Sequence, residues 1–144
     1  MAQDTASKQQ IIKPAGTQAS IQGPAQFFTG RSRIDPLFDQ DENSNVSAAY
    51  VTFEPAARSH WHTHPKGQKL VVTQGVGYTQ EWGKPIQVIK AGDVVECPAG
   101  IKHWHGAAPD TAMTHLAITA YDEQGKNVNW LEPVSDEQYR RLPE

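Results

Sequence analysis

From residue 46 onward the chain breaks into short runs of β-branched, aromatic and small apolar residues, each stopped by Gly, Pro or a polar turn. That spacing predicts antiparallel strands in a sandwich or barrel. VSAAYVTF (residues 46–53) reads as one strand and EPAARS as a connection; KLVVTQ and GVGYTQEW read as two strands parted around Gly75. Gly83-Lys84-Pro85 is a turn, IQVIK a short strand and AGD another turn; VVEC is a strand stopped by Pro98-Ala99-Gly100. KHWHG, MTHLAITAY and GKNVNW continue the series.

The ends differ from this middle. Residues 1–26 are rich in Ala, Gln, Ser, Thr, Gly and Pro and predict an arm, disordered at its tip, with a strand near Ile11 and Ile12. QFFTGRSRIDPLF brings three phenylalanines and is expected to pack across the barrel or onto a partner subunit, and DQDENSN is a loop. Only SDEQYRR reads as helix, with Ser135 as N-cap and Gln138 three residues on, the spacing of a capping box. No heptad, tandem repeat or second domain is visible, so residues 27–144 form one domain behind the arm.

Composition narrows the partners. At 144 residues and 38% hydrophobic the chain can bury a core unaided, and a net charge of −3 without any run of Lys or Arg gives no reason to expect nucleic acid or an anionic membrane surface. The single Cys97 excludes an internal disulfide and a multi-cysteine metal site. No apolar run reaches the length of a membrane span and the start is polar, which predicts a soluble protein, cytoplasmic or, if a signal was removed, periplasmic.

All six histidines fall between His60 and His115. On a strand His62 and His64 share a face and can reach one metal ion, Gln68 follows with an amide oxygen, and His103 enters another strand after a Pro-x-Gly turn. Three imidazoles and an amide oxygen make an open, catalytic type of site. His105 shares the face of His103, and Met113, His115, Ala117 and Thr119 alternate onto one face, so His105 and His115 join the site if that face lines the barrel. A histidine beside a Lewis-acidic metal is a natural base. Otherwise both are structural hydrogen-bonding histidines. His60 reads as a surface histidine, and Trp61 and Trp104 as packing outside the barrel.

The wider spacing resembles the cupin family, whose two motifs run G-x5-H-x-H-x3-4-E-x6-G and G-x5-P-x-G-x2-H-x3-N. Here they cover Ala56 to Gly75 and Gly92 to Ala107. The resemblance implies a small jelly-roll β-barrel, all-β apart from the C-terminal helix. Ala56 replaces the opening Gly, Ala107 the final Asn, and Gln68 the usual Glu ligand. A divalent ion held by neutral ligands keeps its full charge, acts as the stronger Lewis acid and binds less tightly.

GPAQFFTG, RIDPLF, HWHTHPKGQ, KHWHGAAPDTAMTHLAI and SDEQYRR together resemble the small bacterial manganese-dependent cupin hydroxynitrile lyases. That resemblance implies one divalent metal ion per subunit, manganese first with iron, cobalt, nickel or zinc as alternatives, on His62, His64, Gln68 and His103. It implies His115 as base, His105 beside it, and an R-selective cleavage of cyanohydrins to aldehyde and hydrogen cyanide. An aryl pocket would draw on Ala49, Val51, Met113, Ala117 and Thr119; Thr119 stands where the known lyases carry Gln, which removes a possible donor near the nitrile. The competing readings are a cupin dioxygenase acting on an alkene or enol, and a binding module without catalysis. The partner is a small-molecule substrate, and strand-edge protection predicts a homodimer or higher homo-oligomer.

Overall fold

The computed structural model describes residues 9–142, so the expectation for the tip of the arm lies outside the described residues. The strands are β1 (Ile21–Gln22), β2 (Phe28–Thr29), β3 (Ser32–Phe38), β4 (Val46–Phe53), β5 (Arg58–Ser59), β6 (His62–Thr63), β7 (Gln68–Glu81), β8 (Gln87–Lys90), β9 (Val94–Cys97), β10 (His103–Ala107), β11 (Met113–Ala120) and β12 (Asn129–Trp130). Among the described residues one short helix, α1 (Asp136–Arg140), follows them. All strand pairs are antiparallel.

Two sheets curl around one interior. The first runs β1-β3-β4-β11-β7-β9; the second joins β8, β7 and β10 to the short strands β5, β6, β2 and β12. Strand β7 belongs to both. Its first half pairs with β11 and β9, its second half with β10 and β8. The bend falls at Gly75, where φ is +78° and a Cβ would come within 1.8 Å of the Ala112 carbonyl oxygen. Only glycine fits there. The two strands anticipated on either side of Gly75 are thus one strand of 14 residues with a corner in it.

Alternation decides which residues enter the barrel. Phe28, Phe53, Ala57, Val72, Ile89, Ala107 and Met113 form its buried core, with Phe27, Ile34, Val51, Val95 and Trp130 packed against it. Phe53 is wholly buried, and truncating such a residue costs about 3–5 kcal/mol. Trp61 and Trp104 lie in a second cluster, on the other side of the second sheet, with Tyr78, Ile86, Ala108, Val134 and Tyr139. They pack outside the barrel as anticipated, beneath the C-terminal segment.

Helix α1 closes that cluster. Ser135 accepts a bond from the Gln138 amide and the Gln138 side chain accepts one from the Ser135 amide, which completes the capping box. Tyr139 points inward and donates its hydroxyl to the Ala107 carbonyl at 2.6 Å. The Arg58 guanidinium donates to the Val134 carbonyl and to Asp136, each at 2.8 Å, and lies 4.4 Å from the Tyr139 ring centroid. A helix of five residues would not persist alone; these contacts hold it.

The arm departs from expectation. Ile11 and Ile12 are 81% and 83% exposed and lie in no strand. The arm's pairing comes later, where Ile21 and Gln22 oppose Ile34 and Arg33. An apolar pair favours a strand only where a partner edge exists, and no described strand runs beside residues 11 and 12. No helix among the described residues is long and apolar enough to cross a membrane.

Candidate metal centre

Strands β6, β7 and β10 bring the histidines together. His62 and His103 are direct cross-strand partners, and His64 follows His62 just beyond β6. Their ring centroids stand 4.3 Å (His62–His103), 4.8 Å (His62–His64) and 5.3 Å (His64–His103) apart. One ring nitrogen from each lies within 4.8 Å of the others, a group that can hold a metal ion.

The far nitrogen of each ring is already committed. His62 Nδ1 donates to the His60 carbonyl at 2.8 Å, His64 Nδ1 to the Asn127 carbonyl at 2.7 Å and His103 Nδ1 to the Ile101 carbonyl at 2.9 Å. A carbonyl can only accept, so each Nδ1 carries the proton and each Nε2 a lone pair. The Nε2 atoms of His64 and His103 are buried without a hydrogen-bond partner. Backbone carbonyls behind metal-binding imidazoles fix their tautomer in this way.

Gln68, the first residue of β7, stands beside the triad in the lining of the same cavity. Its amide Nε2 donates to the Thr119 hydroxyl at 3.0 Å, while its Oε1 is buried with no partner. Unpartnered buried acceptors cost stability. Two imidazole nitrogens and an amide oxygen sharing that condition fit a cation. The lining of the cavity holds no carboxylate among the described residues, so the donor set is neutral.

Burial keeps the imidazoles uncharged. His103 and His115 are pulled down to about 4. His62 and His105 stand well below the ordinary histidine value, through burial first and neighbouring imidazoles second. Burial also lowers His64. Cys97 lies 3.2 Å from His103 Nδ1, behind the ring, and burial raises its thiol to about 11. It stays protonated and is not among the ligand atoms.

Behind the triad, His105 and His115 form a second group. His115 Nε2 and His105 Nδ1 are 2.9 Å apart, and the outer nitrogens, His115 Nδ1 and His105 Nε2, have no partner. Their ring centroids are 4.8 Å apart, and the Phe53 ring packs edge-on against both. One proton lies between the facing nitrogens. Whichever ring owns it, one outer nitrogen carries a lone pair and the other an N–H.

The cavity above encloses about 230 Å3 and reaches His62, His64, Gln68, His105, His115, Val51, Ala117 and Thr119. Two pocket residues anticipated from the sequence lie elsewhere. Ala49 opposes Ala117 on the inward side of β4 but is not among the residues lining the cavity. Met113 is fully buried in the core, against Gly77. The Thr119 hydroxyl faces Gln68 and accepts from its amide. His60, read as a surface residue, is only 8% exposed, and its backbone N–H donates to the Phe27 carbonyl.

Sequence reasoning missed the other wall. Phe28, Ile34, Asn127, Val128 and Trp130 also line the cavity. Trp130 stacks on Phe27 at 4.7 Å and lies 4.9 Å from the His62 ring. The signal for it in the sequence is slight: Val128 and Trp130 are two positions apart, but the strand itself holds just Asn129 and Trp130.

A family profile described as a cupin domain matches residues 49–119. The chain is 58% identical over 130 residues to the (R)-mandelonitrile lyase of Granulicella tundricola, a match spanning 90% of this chain and 98% of that protein. A cupin-like protein of Thermotoga maritima superposes with a TM-score of 0.76 at 44% identity, covering 91% of this chain and 96% of its own. A cupin 2 conserved barrel domain protein of Rhodopseudomonas palustris shares the fold alone, with a TM-score of 0.66 at 17% identity over 85% of this chain and 81% of its own. With two curled sheets around a histidine-lined interior and a relative this similar over nearly its whole length, the chain belongs to the cupin family as a small single-domain member.

Proposed function

We propose that this chain is a metal-dependent cyanohydrin lyase acting on aryl cyanohydrins such as (R)-mandelonitrile, with manganese as its metal. The observation that carries the proposal is a neutral metal-binding triad beside an unpartnered imidazole pair, in a chain 58% identical to an (R)-mandelonitrile lyase.

A divalent ion on His62, His64, Gln68 and His103 would supply Lewis acidity, lowering the cost of negative charge on the substrate oxygen. The protein residues do the rest. Phe28, Val51, Ala117, Val128 and Trp130 form an apolar wall for the aryl group. His115, neutral at pH 7 because burial holds it to about 4, accepts the hydroxyl proton. The carbon–cyanide bond breaks as the carbonyl forms, the electron pair leaves with cyanide, and an N–H of the pair protonates it to hydrogen cyanide. The proton taken by one ring is balanced by the proton given from the pair.

The test is benzaldehyde release from racemic mandelonitrile by manganese-loaded protein, with a metal-stripped control and chiral analysis of the remaining substrate. Metal-dependent release that consumes the R form is expected, and His115→Ala should lower it at least about 100-fold. Release no greater than the stripped control overturns the proposal. The assembly proposed with it is a homodimer, in which a second copy covers the exposed Ile11, Ile12 and Ile21; light scattering measures it directly.

A further inference from the structure

We infer that Thr119 is a positioning residue of the metal centre: its hydroxyl holds the amide of Gln68 the right way round, so that oxygen and not nitrogen faces the ion. The inference rests on the reading that His62, His64, Gln68 and His103 hold a divalent cation.

A glutamine amide has two ends of nearly equal size and opposite character. Packing alone cannot choose between them; only hydrogen-bond partners can. A cation needs the oxygen, and the NH2 end, a donor, is repelled by it. A glutamate has no such ambiguity, since both its ends are oxygens. A chain that uses Gln as the ligand therefore needs an acceptor on the side away from the metal.

Thr119 supplies it. Gln68 and Thr119 are direct cross-strand partners at the end of the β7–β11 ladder, so their side chains leave the sheet side by side. The Gln68 Nε2 to Thr119 Oγ1 distance is 3.0 Å. Both residues are buried, at 8% and 7% exposure, so water does not compete freely for the bond. The other end of the amide, Oε1, is buried and unpartnered. Every histidine of the triad has a backbone carbonyl behind it; Gln68 alone relies on a side chain, and that makes its support open to mutation.

The experiment measures Mn2+ affinity of metal-stripped protein by competition with a fluorescent chelator. Thr119→Val keeps the shape of the side chain and removes the acceptor, whereas Thr119→Ser keeps the acceptor. Loss of the Val variant's bond should weaken Mn2+ binding about 10-fold or more, as loss of such outer partners does elsewhere. Thr119→Ser should stay within about threefold of wild type. In a Gln68→Ala background, Thr119→Val should change affinity less than about twofold, because the group it orients is gone. Thermal melts of the metal-free variants identify any that fail to fold, and Thr119→Ala, which also removes the acceptor, carries the test if the Val variant does not fold.

Unchanged affinity in Thr119→Val beside a weakened Gln68→Ala overturns the inference and leaves the metal site standing. A Val effect that persists without Gln68 also overturns it, since Thr119 would then act by another route. Unchanged affinity in Gln68→Ala removes Gln68 from the ligand set and the inference with it. Absence of Mn2+ binding by wild type sinks the metal reading itself.

Discussion

Acidifying the metal-free protein should unfold it well before its carboxylates are protonated. All six histidines have their affinity for protons lowered in the fold, and for each of them burial is the first cause. In the unfolded chain they return to the ordinary value of 6.5. Below pH 6.5 the unfolded state therefore binds more protons than the folded one, and stability falls as pH falls. His103 and His115, each held to about 4, set the scale. At pH 5 each costs about 2 kcal/mol relative to pH 8, so the pair costs about 4 kcal/mol. His62, His64 and His105 add to this in the same direction. Against a typical stability of about 5–15 kcal/mol that loss is decisive.

Urea denaturation at pH 8, 7, 6 and 5 in the presence of a chelator reads the effect. The carboxylates with lowered values, Asp35, Asp39, Glu96, Glu132 and Asp136, begin to contribute only below the window, and the raised Cys97 and Tyr139 titrate above it. His115→Gln should shrink the loss between pH 8 and 5 by about 2 kcal/mol. A stability at pH 5 within about 1 kcal/mol of that at pH 8 would refute the claim that these rings are buried neutral.

Two further outcomes follow from local geometry. Ala56, at the position where the family's first motif opens on Gly, has a φ of +69°; Ala56→Gly should relieve left-handed strain at some entropic cost, for a net gain of about 0.5–1 kcal/mol and a melting point higher by about 2 °C. Tyr139→Phe removes the hydroxyl that satisfies the Ala107 carbonyl and should lower stability by about 1–2 kcal/mol in the same thermal melt, leaving Mn2+ affinity unchanged.

Much of this was legible in the chain because the signals were local. Residues 46–53 carry enough β-formers to mark β4 to the residue, and Ser135 with Gln138 announces α1 through bonds made within four positions. The split of β7 at Gly75 was misread because glycine marks both turns and bends, and only a sheet on each side shows which. His60 was misplaced for a different reason. Its segment is flanked by chain remote in sequence, Phe27 bonding to residue 60 and Leu131 and Glu132 to residue 61. The distal wall of the cavity was hidden likewise: residues 127–130 have little pattern of their own and gain meaning only by crossing the histidines. The role of Thr119 depends on register, which places it opposite Gln68; a one-residue slip would have turned it outward.

The carbonyls of His60, Ile101 and Asn127 that steer the three imidazoles belong to the main chain. Every amino acid has one. A scan of point substitutions at 101 and 127, where the side chains are half-buried, would thus pass over the very groups that orient the triad. Removing one residue from either segment would shift the carbonyl by a whole peptide and turn a ring of the triad away. In descendants of this chain, drift in letters at those positions is cheap, and drift in length is not. Alignments of such descendants should show variable columns bordered by a strict absence of gaps, a signature of function that conservation scores based on residue identity do not see.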